Sequence, residues 1–166
     1  MFVIGCDPSK RHFVFVVFEN KHFIYHIKIE TTYDNAKKFF DGFVNQDFIF
    51  AVENQFLNLN ALTLIKLVEV RAMLTILANV YLAKKILVIP PKQWQMKYLE
   101  VASHSSRKQR KTISCLVASS IAGEKIYDID IAGAVCICDY TVRLQSDFGL
   151  AYQDSNKKIK KFNCWR

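Results

Sequence analysis

Three acids stand where their surroundings give them little structural reason to carry charge. Asp7 follows Phe2-Val3-Ile4-Gly5-Cys6, Glu53 follows Phe48-Ile49-Phe50-Ala51-Val52, and Asp130 opens the apolar run from Ile131 to Ile137. A carboxylate left unpaired beside buried residues is costly, so such acids are usually hydrogen-bonded as caps or bound to cations. If the strands carrying Asp7 and Glu53 are neighbours and the helix opened by Asp130 packs across their ends, the three carboxylates meet. Acids that close repel unless a cation sits among them, and hard oxygen ligands select Mg²⁺ or Mn²⁺. Two such ions can activate a water and stabilise the leaving oxygen of a phosphodiester. Taken singly, each acid also has an ordinary use: Asp7 as a turn residue before Pro8, Glu53 as a surface acid at a strand end, Asp130 as a helix N-cap.

The charge distribution fits a phosphate-bearing substrate. The 166 residues carry 23 Lys and Arg against 15 Asp and Glu, a formal net charge of +8. Arg107, Lys108, Arg110 and Lys111 form one basic segment, and Lys157, Lys158, Lys160, Lys161 and Arg166 against the single Asp154 form another, leaving the rest of the chain neutral. Local basicity of this kind holds a polyanion through sequence-independent, salt-sensitive contacts.

The elements that must position these residues follow from periodicity. A 51% hydrophobic and 13% aromatic composition supplies a full core and excludes global disorder. Phe2 to Cys6, His12 to Phe18, the alternating Phe23-Tyr25-Ile27-Ile29 segment, Phe48 to Val52 and Ile86 to Ile89 predict five strands, with a turn at Glu19-Asn20-Lys21. Tyr33 to Val44 predicts a helix that Asp34 could cap, and residues 60–84 predict a long helix, apolar on most sides, that packs on the sheet and on a partner, most naturally a second copy of the chain. Lys66, Glu69 and Arg71 interrupt that helix, which argues against a membrane span. Two further helices are expected at 92–99 and 111–119 with the basic loop between them, and a last one from Asp130 to about Leu144, followed by a weakly structured basic tail. The expectation is therefore one α/β domain over residues 1–145, with a mixed five-stranded sheet flanked by helices, and a tail over 146–166. The absence of a secretory leader and five cysteines without metal-ligand spacing predict reduced thiols and a cytoplasmic protein.

An ordered set of segments carries a family resemblance: Ile4-Gly5-Cys6-Asp7-Pro8-Ser9, Val52-Glu53-Asn54-Gln55-Phe56, Asn60, Val70-Arg71-Ala72, Ile89-Pro90-Pro91-Lys92-Gln93-Trp94, the basic run before Lys111, and Asp130 to Ile137. Together, over roughly residues 1 to 144, they resemble a RuvC-type Holliday junction resolvase. The resemblance implies a ribonuclease H-like fold, a homodimer, and Mg²⁺-dependent nicking of opposed strands of a four-way DNA junction in recombination and repair. It implies that Asp7, Glu53 and Asp130 are metal ligands, that Lys111 stands near the scissile phosphate, and that Phe56 is a wedge that unstacks bases near the junction centre. Asn60, Arg107, Lys108, Arg110 and Lys111 complete the expected DNA-contacting set. Usage rich in Lys, Ile, Phe and Asn points to a phage or a low-GC bacterium, hence to a nucleoid or phage-infected host cytoplasm.

One position departs from that pattern. The family's last motif has a second acid one helical turn after the first; here the position is Gly133, which costs ~1 kcal/mol against alanine in a helix. Asp128 precedes the helix and Asp139 lies more than two turns along, so neither is an evident replacement. Gly133 predicts weakened metal binding and slow cleavage with junction binding retained. Three other readings are a broader branched-DNA nuclease, a non-catalytic junction binder, and a DEDD-type transposase catalytic domain, the last of which normally carries a further domain.

Overall fold

The computed structural model describes residues 1–54, 60–99 and 106–161; the side chains of Leu99, Arg107, Lys108 and residues 146–161 lie outside that description, as do Phe56 and Trp165 altogether. The elements run β1 (Phe2–Pro8), β2 (His12–Glu19), β3 (His22–Glu30), α1 (Tyr33–Asp41), β4 (Phe48–Glu53), α2 (Ala61–Val80), β5 (Lys85–Ile89), α3 (Pro91–Leu99), α4 (Arg107–Ala122) and α5 (Ile129–Lys161). The five strands form one sheet in the order β3-β2-β1-β4-β5. β1, β2 and β3 are antiparallel neighbours, whereas β4 pairs in parallel with β1 and β5 in parallel with β4, giving the expected mixed sheet. The β2-β3 connection is a two-residue loop in which Asn20 and Lys21 both have positive φ, the geometry whose twist matches that of the strands it joins.

Strand alternation sorts the core into two layers. Ile4, Cys6, Phe13, Phe15, Val17, Phe48, Phe50 and Val52 face α1 and α2. Val3, Val14, Val16, Phe18 and Ala51 face the other way, against α5. Gly5 shares that second face, and α5 crosses directly over it: a Cβ at residue 5 would lie 2.7 Å from Cys138 Cβ and 2.8 Å from Ala134 O. No side chain fits there, so the glycine lets helix and strand approach backbone to backbone.

Four expectations are corrected. Thr32, not Asp34, caps α1: its extended backbone lets the hydroxyl accept from Asn35 N–H, while Asp34 sits in the first helical turn. The basic run is helical rather than a loop, because Ser106 and Gln109 form a reciprocal capping box that starts α4 at Arg107. Helix α2 stops at Val80, where Leu82 takes a positive φ, short of the expected Lys84. Helix α5 does not stop near Leu144 but continues to Lys161, so the first part of the basic tail extends a core helix.

Candidate active site

Alternation decides which face each acid uses. Asp7 follows Val3 and Gly5 in the alternation and Glu53 follows Ala51, so both belong to the face covered by α5. They stand one residue beyond the Cys6–Val52 pair of the parallel β1-β4 ladder, side by side at the carboxyl ends of adjacent strands. Both carboxyls are held in the protonated direction. Asp7 is raised well above the usual carboxylate range, first by burial and then by the charges of Glu53 and Asp130, with Lys28 acting in the opposite sense. Glu53 is pushed up to about 7 by burial, against the hydrogen bond that Trp94 Nε1–H donates to its Oε1 at 2.9 Å.

The N-terminal end of α5 closes the third side. Asp128 caps that helix, its Oδ1 accepting from Asp130 N–H at 2.9 Å and Ile131 N–H at 3.3 Å. Asp130, one position into α5, is therefore free of capping duty. Its carboxylate meets an ammonium instead: Lys28 Nζ lies 3.0 Å from Asp130 Oδ2 and 2.7 Å from Asp128 Oδ2. Burial acts to raise the Asp128 carboxyl, but its bonds to Lys28 and to the helix N–H groups outweigh that and hold it low. Its bonds to Asp128 and Asp130 raise the Lys28 ammonium.

Asp7 and Glu53 fit a single hard cation: two neighbouring carboxylates, desolvated and mutually repelling, are what a divalent ion would neutralise. The larger set is not assembled. Among the described residues no three His, Cys, Asp or Glu side chains are placed to hold one ion together, and Asp130 is turned to Lys28. Gly133 faces the same point without contributing an oxygen, since a Cβ there would lie 2.9 Å from Asp7 Oδ2. Asp139 takes no part: it is buried and accepts from Tyr98 Oη at 2.7 Å and Arg143 Nε at 2.8 Å.

No protein-family model and no curated protein matches the sequence. Solved structures are. RuvC of Thermus thermophilus in complex with a Holliday junction substrate superposes with a TM-score of 0.66 at 16% identity, covering 84% of this chain and 91% of that one. A second Thermus thermophilus RuvC structure gives a TM-score of 0.64 at 17% identity, covering 84% of this chain and 92% of that one. The chain has the fold of RuvC. The yeast mitochondrial Holliday junction resolvase Ydc2 shares it, with a TM-score of 0.59 at 15% identity over 95% of this chain and 83% of that one.

Within this RuvC-like fold the remaining candidates are spread out. Lys111, on the second turn of α4, lines a cavity of about 520 Å³ with Thr112, Cys115, Lys125, Tyr127 and Ile129, beside the start of α5. Arg110 is exposed on the same helix, which also carries Arg107 and Lys108. Asn60 caps α2, its Oδ1 accepting from Thr63 N–H at 2.8 Å. Phe56 lies outside the described residues. Two residues of the site carry no assigned role in the sequence reading, Lys28 and Trp94, although Trp94 ends one of the segments that carry the resemblance. Lys28 was one of the polar partners in an alternating strand, and only the strand pairing reveals its place: Asp7 pairs with Val14 and Val14 with Lys28, so acid and ammonium stand in one row on one face.

Proposed function

We propose that the chain is a structure-selective endodeoxyribonuclease that resolves four-way DNA junctions by Mg²⁺- or Mn²⁺-dependent phosphodiester hydrolysis, in recombination and repair. The observation that carries this reading is the Asp7–Glu53 pair: two desolvated, mutually repelling carboxylates at adjacent strand ends, under α5, in a fold whose solved representatives include RuvC bound to a Holliday junction. Asp7 and Glu53 would hold the cation, which when bound supplies Lewis-acid activation of water at the phosphate. Trp94 fixes the Glu53 carboxylate through its indole N–H. Lys111 and Arg110 project from α4 as phosphate contacts, with Lys111 the candidate to stabilise charge developing at the scissile group. The fourfold basic run and the basic extension of α5 grip the DNA backbone without reading bases.

Nicking two opposed strands needs two sites, and α2 supports a homodimer. Leu62, Ile65, Ile76 and Val80 are each more than half exposed on that helix, an apolar surface turned away from the sheet. Among the described residues no helix is long and apolar enough to cross a membrane.

The test is cleavage of a four-way junction, a Y-fork and a linear duplex of the same sequence in Mg²⁺ and in Mn²⁺. Symmetric paired nicks confined to the junction support the resolvase, and equal nicking of the fork supports a broader branched-DNA nuclease. Strand transfer into a target duplex would mark a transposase domain. Gly133 specifically favours a second reading, a protein that binds junctions and cuts them slowly or not at all, which tight junction binding without nicks in either metal would establish.

A further inference from the structure

We propose that the Lys28 ammonium is a built-in cation of the carboxylate site, holding Asp130 and Asp128 where a second divalent ion would otherwise sit, so that the site takes one ion only, on Asp7 and Glu53. This inference rests on the metal-dependent reading of the preceding section.

Four observations meet here. First, the register places Lys28 in the same row as Asp7, two strands away and on the same face. Neighbouring strands lie about 4.8 Å apart, so its Cα is roughly 10 Å from that of Asp7, a distance that an extended lysine side chain covers in good part. Second, its Nζ reaches both acids at the N-terminal end of α5, at 2.7 Å and 3.0 Å. Third, the position facing Asp7 from α5 is Gly133, which has no oxygen to offer a second ion. Fourth, the described acids do not form a three-carboxylate ligand group, and the Asp130 carboxylate is bonded to the ammonium.

Charge bookkeeping leads the same way. Asp7 and Glu53 together match one divalent ion. The two remaining carboxylates are already partly neutralised by Lys28, and Asp128 is further committed by capping α5. A second divalent ion would have to displace the ammonium from these carboxylates or bring its own charge beside it. Lysine fits the place well in one respect: it is a point charge with three donors that can satisfy two carboxylates at once.

The experiment is calorimetric titration of Mn²⁺ into the metal-free full-length chain, with the folded state of each variant verified by circular dichroism and melting. The wild type should bind one Mn²⁺ per chain, and Asp130→Asn should keep that ion with a Kd within about threefold. Lys28→Met should bind two, Lys28→Arg one, and the double variant Lys28→Met with Asp130→Asn one again, since the second ion needs the freed Asp130. Two ions in the wild type, loss of its single ion in Asp130→Asn, or one ion in Lys28→Met would each overturn the proposal. Those results leave the nuclease reading standing. No Mn²⁺ bound by a folded wild type, with or without a four-way junction, would instead remove the metal-dependent reading on which the proposal rests.

Discussion

Gly133 stands over the carboxylate of Asp7, so close that a Cβ added to it would lie 2.9 Å from Asp7 Oδ2. The contact is with the free end of a side chain, which can rotate away, so the helix tolerates a larger residue there. Gly133→Asp should therefore fold. It places another carboxylate beside two that already repel, and in the absence of metal the variant should melt several degrees below wild type. With Mn²⁺ the order should reverse: an added oxygen ligand should tighten binding about tenfold and raise the rate of junction nicking by at least as much. Gly133→Ala should not raise nicking, since it adds bulk against Asp7 without a ligand. Equal nicking by wild type and Gly133→Asp would show that this position does not limit the chemistry.

The raised carboxyls give stability a definite pH dependence. Burial pushes the Glu53 carboxyl up to about 7 in the fold from its ordinary value of 4.5, and raises Asp7 in the same sense. In each case the folded state binds the proton more tightly, so the stabilising contribution is fully present below the unfolded pKa and is lost as pH rises through the folded one. The metal-free protein should thus melt higher at pH 5 than at pH 8, with the loss concentrated between about pH 5 and 7.5. Glu53→Gln should flatten that part of the curve, and saturating Mg²⁺ should flatten it in the wild type. A melting temperature that climbs from pH 5 to 8 would contradict the assigned direction.

Trp94 is buried and spends its indole N–H on Glu53 at 2.9 Å. Trp94→Phe keeps an aromatic ring and removes the donor. The loss of one hydrogen bond to a partly ionised acid should destabilise by about 1–2 kcal/mol. The Glu53 carboxyl should then rise above 7, because the bond that favours its charged form is gone. At pH 7 the Mn²⁺ Kd should weaken more than at pH 8.5, where the carboxylate is ionised in both proteins. A pH-independent loss would mean that Trp94 acts on the site by packing alone.

What was legible in the chain follows the range of the interactions involved. β1 and β4 were readable because each is a continuous apolar run ended by its acid, and parallel pairing then forces Asp7 and Glu53 together. Lys28 was not, because its role depends on two successive antiparallel registers that local pattern does not determine. The start of α4 is obscured because four basic residues suggest a solvated loop, whereas Ser106 and Gln109 supply the capping box and Arg, Lys and Gln are good helix formers. The polar extension of α5 beyond Leu144 lacks the apolar periodicity that marks a core helix. The ordinary use open to Asp130, capping the apolar run that it precedes, belongs to Asp128, two residues earlier.

The exposed face of α2 gives the last expectation. Leu62, Ile65, Ile76 and Val80 recur at spacings of three, eleven and four, which returns them to one side of a helix with 3.6 residues per turn. The buried residues of the same helix, Leu67, Leu74, Leu77 and Ala78, lie on the side facing the sheet. Substituting Ile65→Glu together with Ile76→Glu leaves those core residues untouched, so the variant should keep its secondary structure by circular dichroism. Sedimentation equilibrium should give a dimer for wild type and a monomer for the double variant. On a four-way junction that monomer should nick strands singly rather than in symmetric pairs. A wild type that sediments as a monomer at micromolar concentration, free and on junction DNA, would rule out the α2 dimer.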